Sequence, residues 1–422
     1  MRYDTVIIGG GLGGLIGGIT LARRGQRVAI ISSGKSALHF CSGSLELWGG
    51  SREEFEQLPQ SHPSHPYNKV GMQRLVRYSA EAKELFARAG VPLVGGLEQV
   101  ADSQRFGCSH YRLSPIGAIK PAWLTMDEFV TFAEPEPKEY PRVTIVAIQG
   151  YLDFYPEFIA SSLRKRGVEC KVVTVTSAAL EALRESATEM RAVSIARSLQ
   201  GEALDELAHI IGNAVGKDAD LALVPAVFGL KSRAAYERVA QIVGVPVRVA
   251  PTVSASVPGV RMQRLLSEEF QRCGGEYILG DRVVDYTLEE GRIVSLRTAN
   301  HSDMEFRADS YILASGSFFG RGLEAQPNGI REVVFGLDVE CDDSRAEWCG
   351  EHILDTQPFQ RYGVRCDERL RPSIAGQTIE NLYAVGSVLA GADPVKEGCG
   401  AGVVVATAFM AAEDILSCND KK

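Results

Sequence analysis

The sequence lacks the patterns that mark metal clusters and nucleic-acid binding. Its cysteines form no C-x-x-C pair, so the usual spacings of iron–sulfur and zinc sites are absent. Positive charge is not in excess either, since 45 Lys and Arg against 53 Asp and Glu give a net charge of −8. This acidic balance argues against a nucleic-acid surface or a polybasic membrane contact. We therefore expect no metal ligands and no nucleic-acid partner.

Long apolar runs are scarce as well. The longest outside the N-terminus, Ala401–Ala412, is too short to span a bilayer. The apolar N-terminus is broken by glycines and continues into a strand, without the small-residue cleavage site of a secretory signal. Nine scattered thiols without such a signal are typical of a reducing compartment. The sequence thus predicts a cytoplasmic protein with no direct membrane span, which reaches a membrane only through a partner.

What the N-terminus does contain is a glycine fingerprint. A predicted strand, Thr5–Ile8, is followed by "GGGLGG", a predicted helix, Leu12–Arg24, and a second strand, Arg27–Ile31. G-x-G-x-x-G between a strand and a helix is typical of a turn that holds a nucleotide or flavin phosphate at a helix N-terminus. This pattern assigns the phosphate to Gly9, Gly11 and Gly14.

Two later segments indicate a flavin rather than another nucleotide. "YILASGS", with Gly316, has the shape of a strand that closes many flavin-binding domains, and "TIENLYAVGSV" is similar to a second flavin motif. In that second motif an aspartate holds the ribityl chain, whereas this chain has Gly386–Ser387. Ser32 likewise replaces the acidic residue that usually binds an adenosine ribose. Both changes remove negative charge, and the change at Ser32 weakens the case for an adenosine half. This opens FMN as the cofactor, with FAD as the alternative, because hydroxyls also bond a ribose.

The alternation of strands and helices predicts an α/β fold: a Rossmann-like flavin-binding domain with an inserted α/β domain. We assign residues 1–48, 252–317 and 372–422 to the discontinuous flavin-binding domain. Residues 49–251 and 318–371 form the inserted, or cap, domain. The polar, Pro- and His-rich stretch from Gly49 to Tyr67 is predicted to be a surface loop, with His62 and His65 solvated rather than bound to metal.

The wider sequence resembles the B subunit of the anaerobic glycerol-3-phosphate dehydrogenase complex. The resemblance covers nearly the whole chain and is carried by "MRYDTVIIGGGLGGL", "SALHFCSGSLEL", "SPIGAIKPAWL", "ATEMRAVSIAR", "LASGSFFGRGL", "NGIREVVFGLDV" and "LRPSIAGQTIENLYAVGSVLAGADPVKEGCGAGV", in this order.

The resemblance implies one subunit of a three-subunit complex. A catalytic A subunit and the B subunit form a soluble dimer, and a C subunit carries iron–sulfur clusters and associates with the inner face of the cell membrane. The complex oxidises sn-glycerol 3-phosphate to dihydroxyacetone phosphate and passes electrons to quinone in fumarate or nitrate respiration. The family is assigned FMN.

The resemblance also places the rest of the flavin. It implies that the isoalloxazine meets the "HFCSGS" loop, and that the ribityl chain and ring edge meet the C-terminal motifs. With the fingerprint, the expected cofactor-binding residues are Gly9, Gly11, Gly14, Ser32, Ser42, Gly43, Ser44, Gly316, Gly386, Ser387 and Gly400. Cys399, next to Gly400, is expected to be a packed small residue rather than a redox group.

Candidates for catalysis are fewer. His39 is the histidine inside a flavin-facing motif, where it would polarise the flavin or move a proton; the alternative is a structural histidine. Arg331, like Arg261 and Arg371, would bind an anionic substrate or the reduced flavin, or else serve structure or an interface. Two further functions stay open: a flavin electron-relay or scaffold subunit without catalysis, and a stand-alone FAD-dependent oxidoreductase of another small acid.

Overall fold

The computed structural model describes residues 1–97, 106–186, 190–301 and 303–419. The first three residues of the motif "ATEMRAVSIAR" lie outside these ranges. The helices are α1 Leu12–Ala22, α2 Arg52–Glu56, α3 Leu58–Ser61, α4 Pro66–Val70, α5 Met72–Arg88, α6 Pro156–Arg164, α7 Ala178–Arg184, α8 Ala192–Ser198, α9 Glu202–Val215, α10 Ala234–Val243, α11 Val257–Arg272 and α12 Gly400–Asn419.

The strands in the first third of the chain are β1 Arg2–Ile8, β2 Val28–Ser32, β3 Ser44–Leu45, β4 Leu93–Gly95, β5 His110–Leu113, β6 Ile119–Ala122, β7 Leu124–Met126 and β8 Thr131–Phe132. Those in the remainder are β9 Arg142–Ile148, β10 Glu169–Val175, β11 Leu221–Pro225, β12 Val247–Ala250, β13 Glu276–Leu279, β14 Val283–Glu289, β15 Arg292–Thr298, β16 Arg307–Leu313, β17 Leu323–Gln326, β18 Gly329–Glu332, β19 Val339–Glu340, β20 Gly363–Val364, β21 Ser373–Ile374, β22 Gln377–Thr378 and β23 Leu382–Ala384.

The first parallel sheet has the strand order β13-β2-β1-β16-β23. Strand β2 and the carboxyl-terminal halves of β1 and β16 are apolar and buried, as expected for strands covered on both faces. In the middle of the sheet, Ile7 lies opposite Ile30 on one side and Ile312 on the other. The five strands come from both ends of the described chain, and their carboxyl ends meet at one edge.

A second parallel sheet, β10-β9-β11-β12, is built wholly from residues 142–250. Together the two sheets confirm the predicted α/β fold class. The exact domain boundaries stay a prediction.

The stretch between Gly49 and Tyr67 is not a surface loop, so that prediction was wrong. It folds into α2, α3 and the start of α4, and Phe55 packs between Trp48 and Tyr67 with ring centroids 5.4 and 5.5 Å away. His65 is 0% exposed. The reason is that Phe55 and Leu58 anchor these short helices in the core while most of the polar side chains stay exposed, which single-sequence composition does not reveal.

Helix α12 is longer than the apolar run Ala401–Ala412, which by itself is too short to span a bilayer. Its segment Gly400–Cys418 is long and apolar enough, by length and composition alone, to cross a membrane. Most of that segment is buried within the fold, where α12 packs against α1 and α5. This packing accounts for its apolar composition.

A buried ion pair links α11 to the short segment between β7 and β8. Arg261 is 1% exposed; its guanidinium contacts the Glu128 carboxylate and donates to the carbonyl oxygens of Phe228 and Gly229, the first at 3.0 Å. Arg371 is likewise paired, with Asp367 at 2.7 Å. Two of the three arginines considered for anion binding therefore hold the chain together.

Substituting Arg261→Met should destabilise the protein by about 3–5 kcal/mol, because Glu128 would keep a buried, unpaired charge. Urea unfolding monitored by circular dichroism measures this. The double variant Arg261→Met/Glu128→Leu should recover much of the loss; equal destabilisation of the single and double variants would contradict a buried-charge origin.

Candidate flavin site

The candidate site lies at the carboxyl edge of the first sheet, where the turns after β1, β2, β16 and β23 meet. Contacts between these turns are direct: a Cβ added at Gly9 would overlap the Ala314 carbonyl, and one at Gly316 would lie 3.7 Å from Ser387 Oγ. The structure thus brings together the glycine fingerprint, Gly316 and the Gly386–Ser387 pair. Crevices at such an edge are where open α/β sheets bind ligands.

The three fingerprint glycines have different physical roles. Gly9 has φ +113°, a conformation that favours glycine, and a Cβ on Gly14 would overlap the Gly9 carbonyl oxygen. A Cβ on Gly11, by contrast, would have only Ser36 Cβ nearby, at 3.7 Å. Gly9 and Gly14 are therefore required by the turn itself, whereas Gly11 leaves space at the N-terminus of α1. Free amides at that end suit a phosphate.

At the end of β2, neutral polar groups take the place of a carboxylate. The buried Ser32 hydroxyl donates to the Gly34 carbonyl at 3.1 Å. The side chains of Tyr277 and Gln263 both donate to the Gly10 carbonyl, at 3.1 and 2.8 Å. Sequence reasoning missed Tyr277 and Gln263, because they come from β13 and α11 and belong to no glycine motif.

The "HFCSGS" loop is held by packing and backbone bonds. Gly43 has φ +86°, a Cβ there would overlap the Phe129 ring, and its carbonyl accepts the Met126 N–H at 2.8 Å. The Ser44 hydroxyl is buried and accepts a hydrogen bond from Thr125 at 3.0 Å. Ser42 is half-buried. Contact of this loop with the isoalloxazine stays a prediction.

A buried histidine, His110, extends the hydrogen bonding that begins between Ser44 and Thr125. His110 Nε2 lies 2.6 Å from the Thr125 hydroxyl. Burial, helped by the nearby Arg112 charge, lowers the pKa of His110 to about 4. His110 is therefore neutral at pH 7 and serves as a hydrogen-bonding group behind the loop.

The two candidate catalytic residues lie on separate elements, a 3-10 turn after β2 and strand β18. His39 lies in a 3-10 turn, Ala37–Phe40, after β2; its carbonyl accepts the Ser256 N–H at 2.8 Å. Partial burial and the Lys35 charge lower the pKa of His39, so its imidazole is neutral at pH 7. Arg331 is exposed on β18, opposite Glu324, and makes no ion pair among the described residues. Their catalytic roles stay predictions.

The residues after β16 and β23 fit a flavin. Ser315 Oγ is buried with no hydrogen-bond partner in the described part of the chain, so it has an unused donor at the site. Gly386 has φ +75° and its N–H donates to Thr407 Oγ1 at 2.9 Å, while Ser387 is exposed at the same turn. An unpaired hydroxyl, an exposed hydroxyl and the space at Gly11 together match a polar cofactor with a phosphate.

A buried carboxylate anchors the loop that leads into α12 at Gly400. Glu397 Oε1 accepts from Arg361 at 2.8 Å, and Oε2 accepts the Asp393 N–H at 2.8 Å and the Cys399 thiol at 3.4 Å. Burial alone would raise the pKa of Glu397, but contacts with His65 and Arg361 and the Asp393 N–H lower it to about 2. Sequence reasoning missed this cluster, because its members are far apart in the chain.

His65 faces the same carboxylate, with Nε2 3.3 Å from Glu397 Oε2. His65, Glu397 and Cys399 are close enough together to hold a metal ion. However, His65 Nδ1 accepts the Tyr67 N–H at 3.1 Å, which leaves the ring proton on Nε2, facing the carboxylate. Burial also raises the pKa of the Cys399 thiol well above its usual value. This chemistry favours a hydrogen-bonded cluster over metal ligation.

Comparison with known proteins agrees with a flavin site. Residues 4–403 match the FAD binding domain family. The chain is 37% identical to the B subunit of anaerobic glycerol-3-phosphate dehydrogenase from Yersinia pestis bv. Antiqua, over 99% of each chain. It is also 37% identical to the protein of that name from Pectobacterium carotovorum, again over 99% of each.

Among solved structures, E. coli quinol fumarate reductase FrdA aligns with 99% of this chain and 70% of its own, at 10% identity and a TM-score of 0.43. A TM-score this low does not support a conclusion about the fold or the function. The fold rests on the sheet topology and the family match.

Two glycine substitutions should separate folding from cofactor binding. Gly14→Ala should destabilise the fold by about 1–3 kcal/mol or more through overlap with the Gly9 carbonyl. Gly11→Ala should cost no more than about 1 kcal/mol, yet weaken flavin binding about tenfold or more, equivalent to about 1.4 kcal/mol. Thermal unfolding and the visible absorbance of the bound flavin measure the two effects. Full flavin content in Gly11→Ala would contradict the assignment of the phosphate.

The Glu397 cluster should make stability depend on pH. The pKa of Glu397 is about 2 in the folded chain, below the ordinary 4.5. The ionised carboxylate therefore stabilises the fold fully above pH 4.5, and this stabilisation disappears as the pH falls toward 2. The gap in unfolding free energy between wild type and Glu397→Gln should therefore shrink over that range. Urea titrations at several pH values measure it, with exposed Glu368→Gln as the control. A pH-independent gap would contradict this account.

Proposed function

This chain belongs to the family of B subunits of anaerobic glycerol-3-phosphate dehydrogenase and is an oxidoreductase subunit of a complex with a flavin-binding fold, and we propose that its complex oxidises sn-glycerol 3-phosphate to dihydroxyacetone phosphate and passes the electrons to quinone. The observation that carries the proposal is the 37% identity to chains of that name over 99% of the length. The neutral, glycine-lined edge of the first sheet supports it, because its donors suit a phosphate-bearing flavin.

A bound flavin supplies the essential chemistry: it accepts two electrons together and releases them singly. The chain's own groups would do the rest. The free amides at the N-terminus of α1 bind the cofactor phosphate, and the Ser315 and Ser387 hydroxyls orient the cofactor from the turns after β16 and β23. With the flavin as the acceptor of the two electrons from C2, the neutral His39 imidazole would take the proton of the substrate's C2 hydroxyl. Arg331 holds the substrate phosphate with its free guanidinium.

For the cofactor we propose FMN, with FAD as the alternative. The family that matches is described as an FAD binding domain, which favours FAD over FMN. Two groups support FMN. Ser32 stands where a carboxylate usually binds the adenosine ribose, and the Tyr277 hydroxyl lies against Gly10. These groups narrow the side of the turn on which an adenosine half would continue.

The proposal includes the assembly. The relatives are named as one subunit of a dehydrogenase, which implies a multi-subunit complex. We propose a catalytic A subunit and an iron–sulfur, membrane-associated C subunit as partners. This chain would then lie in the cytoplasm, on the inner face of the membrane through a partner.

A second function, that of a flavin relay without substrate contact, has one observation in its favour. Arg261 and Arg371 are committed to Glu128 and Asp367, which leaves Arg331 as the remaining candidate for the substrate phosphate among the three. If substrate oxidation occurs in the A subunit, no further cation is needed here.

Substitution in the assembled complex separates these functions. His39→Ala should lower glycerol 3-phosphate oxidation with a dye acceptor by about 10²–10⁴-fold, and Arg331→Ala should mainly raise KM, with partial rescue by Arg331→Lys. Arg307→Ala, at the opposite end of β16, is the control. Unchanged turnover with flavin retained would favour the relay, and a wild-type complex without this activity would overturn the main proposal.

The cofactor itself is identified by release from the purified chain and mass spectrometry. FMN is expected. Release of FAD would overturn the FMN proposal, and Ser32→Glu is the matched test, since a carboxylate there should raise the affinity for FAD relative to FMN.

A further inference from the structure

Two exposed phenylalanines meet beside the candidate flavin site. Phe40 follows β2 and is 53% exposed; Phe319 follows β16 and is 66% exposed. Their rings contact edge to face, with centroids 5.1 Å apart and an interplanar angle of 86°. Both belong to turns at the carboxyl edge of the first sheet. A pair of aromatic rings held together in solvent indicates a surface that a partner covers.

Further exposed apolar side chains lie on two other loops near this edge. Val395 is in the loop that leads into α12, and the Lys396 ammonium donates to the Leu354 carbonyl at 3.1 Å, which brings the loop around Leu354 beside it. Phe318 packs on Phe359 with centroids 6.1 Å apart and links that region to Phe319. We call the exposed set the mouth face; it consists of Phe40, Phe319, Ile353, Leu354 and Val395.

The charges beside the aromatic pair are basic. Lys35 and Arg321 are exposed, and neither forms an ion pair within the part of the chain that the structure describes. Both cations are therefore available to a partner at this surface. A partner that buries Phe40 and Phe319 would therefore place acidic groups opposite Lys35 and Arg321.

We propose that the mouth face is the docking surface for another protein subunit of the same complex, the one that exchanges electrons with the flavin. The proposal rests on the proposed function. A subunit of an oxidoreductase complex must contact a partner, and electrons that leave a flavin at this edge need that partner close to the edge. The occupant has an apolar centre, with acidic residues opposite Lys35 and Arg321.

Another apolar patch provides a matched control. Phe158 on α6 is 62% exposed, nearly as much as Phe319, and lies in the unit that contains the second sheet. Its rim includes Tyr155, with ring centroids 5.9 Å apart. If exposure alone marked an interface, both patches would bind partners. The expected docking surface is only the patch beside the candidate flavin site.

Site-specific cross-linking tests the surface with the fold intact. A photoreactive benzoylphenylalanine at position 319 or 158 is introduced into the tagged chain, co-expressed with the other subunits. Irradiation should join position 319, but not 158, to another subunit, identified by peptide mass spectrometry. Cross-links from 158 alone, from 319 only to a second copy of this chain, or from neither position in an assembled complex would overturn the proposal.

Substitutions test the energetics. Phe319→Ser/Leu354→Ser should reduce the other subunits that co-purify with the tagged chain at least tenfold, with flavin content unchanged, and Arg321→Glu should reduce them less. Phe158→Ser and Arg307→Glu should have no effect. Unchanged co-purification in the double variant would overturn the docking surface even if the complex oxidises glycerol 3-phosphate. A cross-link from 319 in a wild-type complex without that activity would support the surface and reject the proposed function.

Discussion

The close backbone contact at the end of β1 is the constraint on which the site depends. Gly9 lies against the Ala314 carbonyl, and Gly14 lies against the Gly9 carbonyl, so no side chain fits at either position. This contact brings the start of α1 next to the turn after β16. Residues of three distant segments, namely the glycine turn, the turn at Gly316 and Ser387, thereby lie next to one another.

Two buried carboxylates of the described chain are paired with arginines. Glu128 is paired with Arg261, and Glu397 with Arg361, both in buried positions that hold loops in place. The edge itself presents hydroxyls, amides and a helix N-terminus. Neutral donors and a positive helix end favour an anionic ligand without the cost of leaving a buried charge unpaired.

The full-length match confirms the family resemblance, and the parallel sheets confirm the fold class. Both were predictable because local patterns carry them: apolar strands, a glycine turn and a helix succeed one another within the first 31 residues. The segment from Gly49 to Tyr67 was not, since Phe55 becomes buried only when Trp48 and Tyr67 surround it. His65 was assigned to solvent for the same reason.

The sequence by itself determined where the glycine turn lies and that Ser32 and Ser387 stand where similar motifs have carboxylates. Only the tertiary structure decided which groups stand beside them. Tyr277 and Gln263 reach Gly10 from β13 and α11, and His65 and Arg361 reach Glu397 from separate loops. The physical reason is the sequence range of the contacts. Steric limits on neighbouring residues set a turn, whereas these partners come from strands, helices and loops far apart in the chain and meet only through tertiary packing.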